Sequence, residues 1–313
     1  MMAVLVLAAA AILFALSLSG YKRNPTREIE LASHFALQYA VAAAGLFFIA
    51  AFFNANIWAY IFLTGTLLAT LSQLLPFIFF SAEDPQPMEV RPLKILQANV
   101  LKLNTDPEPL RRLIETERPD VIALAEVTPV FAIMLAGMRG AYPYGAVEPE
   151  EKSSYGMALL SRQPLAGFDS FAPDGGGSRA MAAQLTHDGH VIDVISIHPA
   201  TPNRDMASRD REFDAIARRI GARSRDLVLM GDFNATPYCQ AYKKLVGALK
   251  LRNAREGFGL CGSFPVFLPT PLLKLPIDHV LVGSNLKVLS CRTGAPTGSD
   301  HLPLIATLCV AKD

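Results

Sequence analysis

Four short apolar runs in this 313-residue chain each end in a side chain that can bind a metal ion or move a proton. They end at Asn99, Glu126, His198 and Asp232, and Asn234 stands two residues beyond the last. A single acidic residue after a strand is usually a solvated turn residue. Strand ends that meet at one rim, however, are where α/β sheets build their sites. Four such ends, together with two Asp–His pairs nearer the C-terminus, predict one site at a common rim.

The two Asp–His pairs are Asp278-His279 and Asp300-His301. Neighbouring side chains of a strand point to opposite faces, so an Asp cannot readily act on the His that follows it. One member of each pair is therefore expected at the site and the other elsewhere. In the simplest arrangement, Asp278 orients the imidazole of His301 from a neighbouring strand, which fixes its tautomer and raises its basicity. His279 is then a structural strand residue.

These residues lie in a region of alternating strand-like and helix-like patterns. Apolar, often β-branched runs predict strands at Ile95–Val100, Val121–Val127, Met157–Leu160, Val191–Ile197, Leu227–Met230, Val280–Val282 and Leu302–Val310. Helix starts are indicated at Asp106-Pro107 and Thr236-Pro237. The turn His187–His190 joins two strand-like runs into a predicted hairpin, which makes the sheet mixed. About 220 residues suffice for one α/β domain with a sizeable core.

The first 82 residues differ in composition from the rest. They carry five charged side chains, Lys22, Arg23, Arg27, Glu28 and Glu30, in a chain that is 51% hydrophobic overall. Three apolar stretches, Met2–Ser19, Phe35–Phe53 and Ile57–Phe80, reach the ~17–25 residues that cross a bilayer as a helix. A cleaved signal peptide is the alternative for the first, but no Lys or Arg precedes it. We predict a membrane anchor with three transmembrane helices (1–82), a polar linker (83–92) and a catalytic domain (93–313).

The distribution of basic residues favours a cytoplasmic catalytic domain. With three spans, the loop Tyr21–Ala32 and the domain share one side, and that side holds Lys22, Arg23 and Arg27, with Arg91 and Lys94 just past the third span. The other side has no basic residue, and cytoplasmic loops are the ones enriched in Lys and Arg. The four cysteines show no metal-binding spacing and do not decide the compartment.

Seven motifs of the second region resemble, in type and order, the endonuclease/exonuclease/phosphatase (DNase I-like) superfamily. They are QAN (97–99), ALAEV (123–127), YGMALLSR (155–162), SIHP (196–199), GDFN (231–234), PIDHVLV (276–282) and GSDHLPL (298–304). GDFN followed by SDH is highly specific, and the motifs span nearly all of the predicted catalytic domain. The resemblance implies a four-layer α/β sandwich, in which two mixed sheets pack face to face and are flanked by helices.

The resemblance also implies metal-dependent hydrolysis of a phosphoester bond. Glu126 resembles the principal Mg²⁺ ligand, with Asn99 beside it and Asp300 as a second metal-side carboxylate. Mg²⁺ prefers oxygen ligands and keeps several waters, so one or two carboxylates are enough; Mn²⁺ is the alternative ion. The metal would neutralise charge that develops on the phosphate and leaving oxygens.

The remaining catalytic roles are also implied by resemblance. Asp232 resembles the group that positions or deprotonates the attacking water, and Asn234 a phosphate or nucleophile contact. His301, held by Asp278, resembles the imidazole that contacts the scissile phosphate and takes part in proton transfer. His198 resembles the second histidine, which donates to a phosphate oxygen or the leaving group.

Two further residues are candidates for substrate binding. Tyr155 is either a phosphate contact or a core aromatic. Arg179 follows the glycine run 175–177 and is placed to reach a substrate phosphate from a mobile lip.

The layout resembles a bacterial membrane-anchored branch of the superfamily, the YafD-like and VanJ-like proteins. That branch implies an active site outside the cytoplasm, contrary to the basic-residue count. Beyond residue 82, acidic and basic side chains are equal in number, whereas nucleic-acid binding relies on an excess of Lys and Arg. We therefore expect a multi-pass protein of the bacterial inner membrane, in contact with the bilayer, that cleaves a lipid-linked or small phosphorylated substrate. A membrane-tethered DNA or RNA nuclease and an inactive binding domain are the alternatives.

One segment, Ser263–Pro276, combines four prolines with seven large apolar side chains. Prolines at this density prevent a regular helix or central strand, so an extended loop is predicted. Its apolar side chains either fold back over the core or meet the bilayer beside the site. Both alternatives stay open at the level of sequence.

Overall fold

The computed structural model describes residues 1–79 and 91–311, so the predicted linker 83–92 lies outside the described residues except for its last two. The chain begins with four helices: α1 (Met2–Ser17), α2 (Arg27–Ser33), α3 (Ala36–Phe52) and α4 (Ile57–Ile78). A 3-10 turn, Ser19–Tyr21, extends α1.

Two segments of this region are long and apolar enough to cross a bilayer, Met2–Tyr21 and Ile57–Ile78. A third exists only if α2 and α3 count as one broken span, and these two helices meet at 69°. α3 corresponds to the predicted second span but has only 17 residues. α2 forms a separate element because it carries Arg27, Glu28 and Glu30, which favour contact with water or with a charged partner over lipid. The described helices thus provide two spans, or three if the bent pair is one.

The first of two six-stranded sheets has the strand order β11-β12-β1-β2-β4-β3. Its strands are β1 (Leu93–Asn99), β2 (Val121–Ala125), β3 (Tyr144–Glu148), β4 (Met157–Ser161), β11 (Leu286–Thr293) and β12 (Leu304–Val310). β1 and β2 are parallel, and the other neighbours are antiparallel. The sheet is therefore mixed.

The second sheet has the order β5-β6-β7-β8-β10-β9. Its strands are β5 (Leu165–Phe171), β6 (Arg179–His187), β7 (His190–His198), β8 (Leu227–Asp232), β9 (Arg252–Asn253) and β10 (Asp278–Val282). β6 and β7 form the predicted hairpin, and β7 and β8 are parallel.

The two sheets pack face to face around a core of aliphatic side chains that includes Ile95, Val194 and Met230. Each outer face is covered by two helices: α5 (Glu108–Glu117) and α6 (Pro129–Gly137) on the first sheet, and α7 (Pro202–Ile220) and α8 (Gln240–Leu249) on the second. Apolar residues at helical spacing, such as Phe213 and Ile216 of α7, supply the contact. The predicted four-layer α/β sandwich is confirmed.

Candidate active site

Four strand ends from both sheets bring the predicted site residues together. Asn99 ends β1, His198 ends β7 and Asp232 ends β8. Glu126 directly follows β2 in a left-handed backbone conformation, with φ of 61°. Each parallel pair presents its carboxyl ends at one edge, and the face-to-face packing places the two edges at a common rim.

The carboxamide of Asn99 joins two of the carboxylates. Its Nδ2 donates to Glu126 Oε1 at 3.1 Å and to Asp232 Oδ2 at 3.0 Å. The second oxygen of Glu126 accepts the backbone N–H of Lys102 at 2.8 Å. Asn99 and Asp232 are almost fully buried, whereas the side chain of Glu126 remains 16% exposed. Glu126 is thus the carboxylate of this group that opens toward solvent.

A buried acid–imidazole pair lies beside this group. His301 Nδ1 is 2.7 Å from Asp278 Oδ2, and the other oxygen of Asp278 accepts a hydrogen bond from Gln97 Nε2 at 3.0 Å. The predicted contact between Asp278 and His301 is present, but the two residues do not come from neighbouring strands of one sheet. His301 comes from the loop before β12 of the first sheet, and Asp278 begins β10 of the second, because the rim joins both sheets. The opposite ring nitrogen of His301 faces Asp232 Oδ2 at 3.7 Å.

Electrostatics in this pair favour the ionised form of both partners. Burial alone would lower the pKa of His301, but the carboxylates of Asp278 and Asp232 outweigh it and raise that pKa to about 10. Burial alone would likewise raise the pKa of Asp278. The charge of His301 and hydrogen bonds from His301, Ser263 and Gln97 hold it below its ordinary value. Burial dominates at Asp232 and raises the pKa of its carboxyl group.

His198 and Asn234 complete the inner group. His198 Nε2 lies 3.8 Å from Asp232 Oδ2 and 4.0 Å from Glu126 Oε1, and its buried Nδ1 has no hydrogen-bond partner among the described residues. The side chain of Asn234 donates to the carbonyl oxygen of Pro199 at 3.0 Å, while its backbone N–H donates to Asp232 Oδ1 at 2.9 Å. Asn234 therefore fixes the segment after His198 relative to Asp232.

The other predicted residues lie at larger distances or face elsewhere. The ring centroid of Tyr155 lies 5.9 Å from that of His198, and Tyr155 lines the cavity at the site. Arg179 pairs with His198 across β6 and β7, but its guanidinium contacts Glu148 at 3.0 Å. Asp300 contributes its backbone oxygen to Val266 at 2.8 Å. Within the described part of the chain, the one group of three close potential ligands is Asp232, Asp278 and His301, with ligand atoms within 4.8 Å of one another, and Asp300 is outside it.

His279 turns away from the site, as expected from strand alternation. Its Nε2 lies 2.8 Å from the carbonyl oxygen of Ala235, and its Nδ1 lies 3.0 Å from the side-chain nitrogen of Asn253 and 3.1 Å from that of Arg255. It is completely buried, and its role is structural.

A cavity of about 720 Å³ opens above Glu126 and His198. Lys102, Lys152 and Tyr155 are among its lining residues, so two basic residues border the space that an anionic substrate would enter. Neither lysine lies in a motif that indicates a substrate contact. Gln97, which also went unrecognised, lies in the first of the seven motifs.

The donor set fits a divalent cation that prefers oxygen. Glu126 Oε1 and Asp232 Oδ2 accept hydrogen bonds from the same amide nitrogen of Asn99, so the two carboxylate oxygens converge on one region. Glu126 borders the cavity, which leaves room for the waters that Mg²⁺ or Mn²⁺ retains. The Asp278 oxygens are instead engaged by His301 and Gln97.

Fold and site together define a phosphoester-hydrolase type of α/β sandwich. The model of the endonuclease/exonuclease/phosphatase family matches residues 96–301, more than half of the chain, and the chain belongs to this family. Members of the family are hydrolases that act on phosphoester bonds, and they generally depend on a divalent metal. A comparison with curated protein sequences finds no match for this chain.

Solved structures share the fold at low sequence identity. A family member from Bacteroides thetaiotaomicron is 15% identical with a TM-score of 0.62, over 72% of this chain and 100% of that one. TDP2 of Danio rerio, complexed with a single-strand DNA product, is 16% identical with a TM-score of 0.57, over 69% and 98%. A mannosyl-6-phosphatase of Bacteroides thetaiotaomicron is 16% identical with a TM-score of 0.57, over 69% and 99%.

Proposed function

We propose that this protein is a membrane-anchored, Mg²⁺-dependent phosphoesterase that cleaves a lipid-linked or other small phosphorylated substrate by attack of water. The observation that carries the proposal is the convergence of Glu126, Asp232 and the Asp278–His301 pair at one rim, next to a cavity lined by two lysines. This arrangement supplies a cation site, a proton acceptor and a protonated imidazole around one position for a phosphate group.

Each of the chain's own residues has a role in the proposed reaction. Asp232 accepts a proton from the attacking water, because burial has raised its pKa and made its carboxylate a better base. His301, held as an imidazolium by Asp278, donates to a phosphate oxygen, and His198 donates to a phosphate oxygen or the leaving group. Asn234 positions the segment after His198. When bound at Glu126, Mg²⁺ or Mn²⁺ would neutralise charge on the phosphate and leaving oxygens. Asn99 would orient the Glu126 carboxylate through the hydrogen bond that its Nδ2 donates.

The contacts between the anchor helices and the catalytic domain are consistent with three membrane passes. The carbonyl oxygen of Gly20, just after α1, accepts hydrogen bonds from Lys243 and Gln240 of α8. The side chain of Gln38, near the start of α3, donates to Leu272. The carbonyl oxygen of Pro76, near the end of α4, accepts the N–H of Gly257. The end of α1, the start of α3 and the end of α4 thus lie on the domain side, as three crossings require.

Substrate preference follows from charge and attachment. The domain carries no net charge, whereas nucleic-acid binding draws on an excess of Lys and Arg. Attachment to a bilayer also raises the local concentration of lipid substrates. This layout supports placement in the YafD-like and VanJ-like branch of the bacterial inner membrane. A tethered nuclease is the second candidate, since a structural relative is complexed with a single-strand DNA product.

The test compares substrates in parallel. The full chain in lipid nanodiscs is assayed with Mg²⁺ and with Mn²⁺ against polyprenyl pyrophosphate, plasmid DNA and RNA, with Glu126→Gln as the inactive control. The proposal expects release of phosphate from the lipid substrate that stops in EDTA. Hydrolysis confined to DNA or RNA would replace the proposal with the nuclease, and binding without turnover of any substrate would favour the inactive domain.

A further inference from the structure

The connection between β9 and β10 is in contact with the membrane anchor along much of its length. The N–H groups of Gly257 and Gly259 donate to the carbonyl oxygens of Pro76 and Phe77, at 3.2 and 2.9 Å. Further along, the carbonyl oxygen of Leu272 accepts a hydrogen bond from Gln38 Nε2 at 2.9 Å. This connection is therefore fixed to both α4 and α3.

The same connection borders the acid–imidazole pair. The carbonyl oxygen of Ser263 accepts the N–H of Leu302 at 2.9 Å, and Val266 N donates to Asp300 O at 2.8 Å. The ring centroid of Phe264 lies 4.8 Å from that of His301. One continuous segment, 263–276, thus extends from the catalytic imidazole to a helix of the membrane anchor.

Apolar side chains of this segment point into solvent. Phe267 is 76% exposed, Leu272 48% and Leu273 43%. Leu272 and Leu273 belong to a 3-10 turn, Pro271–Leu273, which the Thr270 hydroxyl caps by accepting the N–H of Leu272 at 3.2 Å. Folding back over the core therefore does not account for these three side chains. Large apolar groups held exposed by an ordered turn mark a surface that contacts lipid or protein.

The position of this 3-10 turn favours the bilayer, over a protein partner, as the surface that the exposed side chains contact. Leu272 contacts Gln38, in the first turn of α3, which is the end of an apolar helix at the domain side. Phe35 and Tyr39 lie beside it with ring centroids 6.4 Å apart, and aromatic side chains concentrate at membrane–water interfaces. If α3 crosses the bilayer, the exposed leucines therefore adjoin its domain-side end, where the bilayer would begin.

We propose that Phe267, Leu272 and Leu273 enter the domain-side leaflet, and that the segment 263–276 leads a lipid-linked phosphate from the bilayer to His301. The substrate class is then a phosphoester or pyrophosphate whose apolar chain stays in the membrane during hydrolysis. This substrate assignment rests on the proposed function, whereas the insertion of the three side chains does not.

Insertion is measured by fluorescence, without any substrate. The chain has one tryptophan, Trp58. In a Trp58→Phe background, Phe267→Trp is compared with Ile133→Trp on α6. Ile133 is a suitable control because it is as exposed as Phe267, at 75%. In addition, α6 covers the outer face of the first sheet, whereas the anchor contacts α7 and α8 on the second. Reconstituted into vesicles with brominated lipids, the Phe267→Trp protein is expected to be quenched and the Ile133→Trp protein unquenched. Equal emission of the two proteins would overturn the insertion.

The substrate class is measured with a triple variant, Phe267→Ser, Leu272→Ser and Leu273→Ser, in the full chain. Polyprenyl pyrophosphate in vesicles and a short water-soluble phosphoester are assayed side by side, with Ile133→Ser as the control. The lipid-to-soluble ratio of rates is expected to fall about tenfold or more, because the lost apolar contacts act only at the bilayer. An unchanged ratio, or equal losses with a lowered melting temperature, would overturn the assignment. If the wild-type protein cleaves neither substrate, the proposed function itself fails, and fluorescence still decides the insertion.

Discussion

At the scale of single residues, two amides of β1 separate the carboxylates of the site into two groups. Gln97 and Asn99 are two apart, so both side chains point to the same face of the strand. Gln97 donates to Asp278, whereas Asn99 donates to both Glu126 and Asp232. Buried carboxylates in proximity repel one another, and hydrogen bonds to the charged form offset part of that cost. The result is one carboxylate committed to His301 and two that share the amide of Asn99.

Glu126 carries the prediction about the metal. Glu126→Gln keeps the side-chain shape and one acceptor oxygen but removes the charge, so Mg²⁺-dependent hydrolysis is expected to disappear while the melting temperature stays close to that of the wild type. EDTA should have the same effect on the wild-type protein. Glu115→Gln, on the exposed face of α5, is the matched control and should keep full activity. Full activity in EDTA would exclude the metal-dependent mechanism.

The Asp278–His301 pair is expected to act as one unit. His301→Ala should lower the rate by roughly 10²–10⁴-fold, the usual range for a positioned acid–base group. Asp278→Asn should impair the same step, and the double variant should be little worse than either single one, because effects within a unit are not additive. Losses that add up in single-turnover assays would show that the two residues contribute independently.

The same pair predicts the direction of a pH effect. Because Asp278 and Asp232 raise the pKa of His301 to about 10, its imidazolium persists through neutral pH and is lost only as the pH approaches that value. Asp278→Asn removes one of the two charges and therefore lowers this pKa. If the imidazolium is the active form, the alkaline limb of the pH–rate profile moves to lower pH in this variant. Asp214→Asn, on the exposed side of α7, should leave the limb in place. A limb that stays fixed in both variants would assign it to another group.

At the scale of secondary-structure elements, the strand patterns predicted the inner strands and missed the edge strands. The strand residues Val121–Ala125 and Leu227–Met230 are buried on both faces of their sheets, so their sequences are continuously apolar. The four strands without a clear signal, β3, β5, β9 and β11, are the four edges of the two sheets. β5, for example, is mostly half-exposed or exposed, and its sequence LAGFDSF mixes polar and apolar residues on both faces. The alternation of apolar and polar residues that marks a half-buried strand is therefore absent from this edge strand, which has a neighbouring strand on one side only.

Contacts between distant elements were the other feature that the sequence did not show. Thr236-Pro237 was expected to begin a helix, but α8 begins at Gln240. The backbone N–H and the hydroxyl of Thr236 lie 3.2 and 3.0 Å from Nδ1 of His34, between α2 and α3. A cap-and-proline signal is local, and it cannot reveal a partner two hundred residues away. In contrast, the meeting of Asn99, Glu126, His198 and Asp232 at one rim was predictable, because each residue follows a strand-like run whose order the family's motifs fix.

The buried ion pair between α2 and α7 predicts how firmly the anchor is attached. The side chain of Arg209 on α7 is fully buried and donates to Glu30 at 2.7 Å. Removing one partner of such a pair leaves an uncompensated buried charge, at a cost of roughly 3–5 kcal/mol. Asp210, which also contacts Arg209, should keep the loss near the lower end of this range. Glu30→Ala is therefore expected to lower the melting temperature of the full chain in detergent.

Glu28→Ala is the matched control for this pair, since Glu28 lies on the same short helix but is exposed. It should leave the melting temperature nearly unchanged. Equal melting temperatures for the Glu30→Ala and Glu28→Ala proteins would mean that α2 is not held by the ion pair.

At the scale of the whole molecule, the anchor sits at the catalytic end of the sandwich. Thr236, in contact with His34, is only two residues beyond Asn234, and the segment 263–276 joins His301 to α3. In the proposed membrane-bound arrangement, the rim formed by the strand ends is therefore close to the membrane surface. A phosphate held at the level of the lipid head groups has a short path to the site, whereas a long duplex would have to approach between the domain and the bilayer.

The side of the membrane on which this rim lies is the last prediction. Lys22, Arg23 and Arg27 lie between α1 and α3, at the domain end of the anchor, and the opposite end carries no basic residue. Cytoplasmic loops are enriched in Lys and Arg, so this charge distribution predicts a cytoplasmic catalytic domain. Alkaline phosphatase fused after the last residue of the chain is then expected to stay inactive, and a green fluorescent protein at the same position to fluoresce. The resemblance to the VanJ-like branch implies the reverse pattern. An active phosphatase fusion would contradict the charge argument, place the site outside the cytoplasm and favour a lipid-linked phosphate of the outer leaflet as substrate.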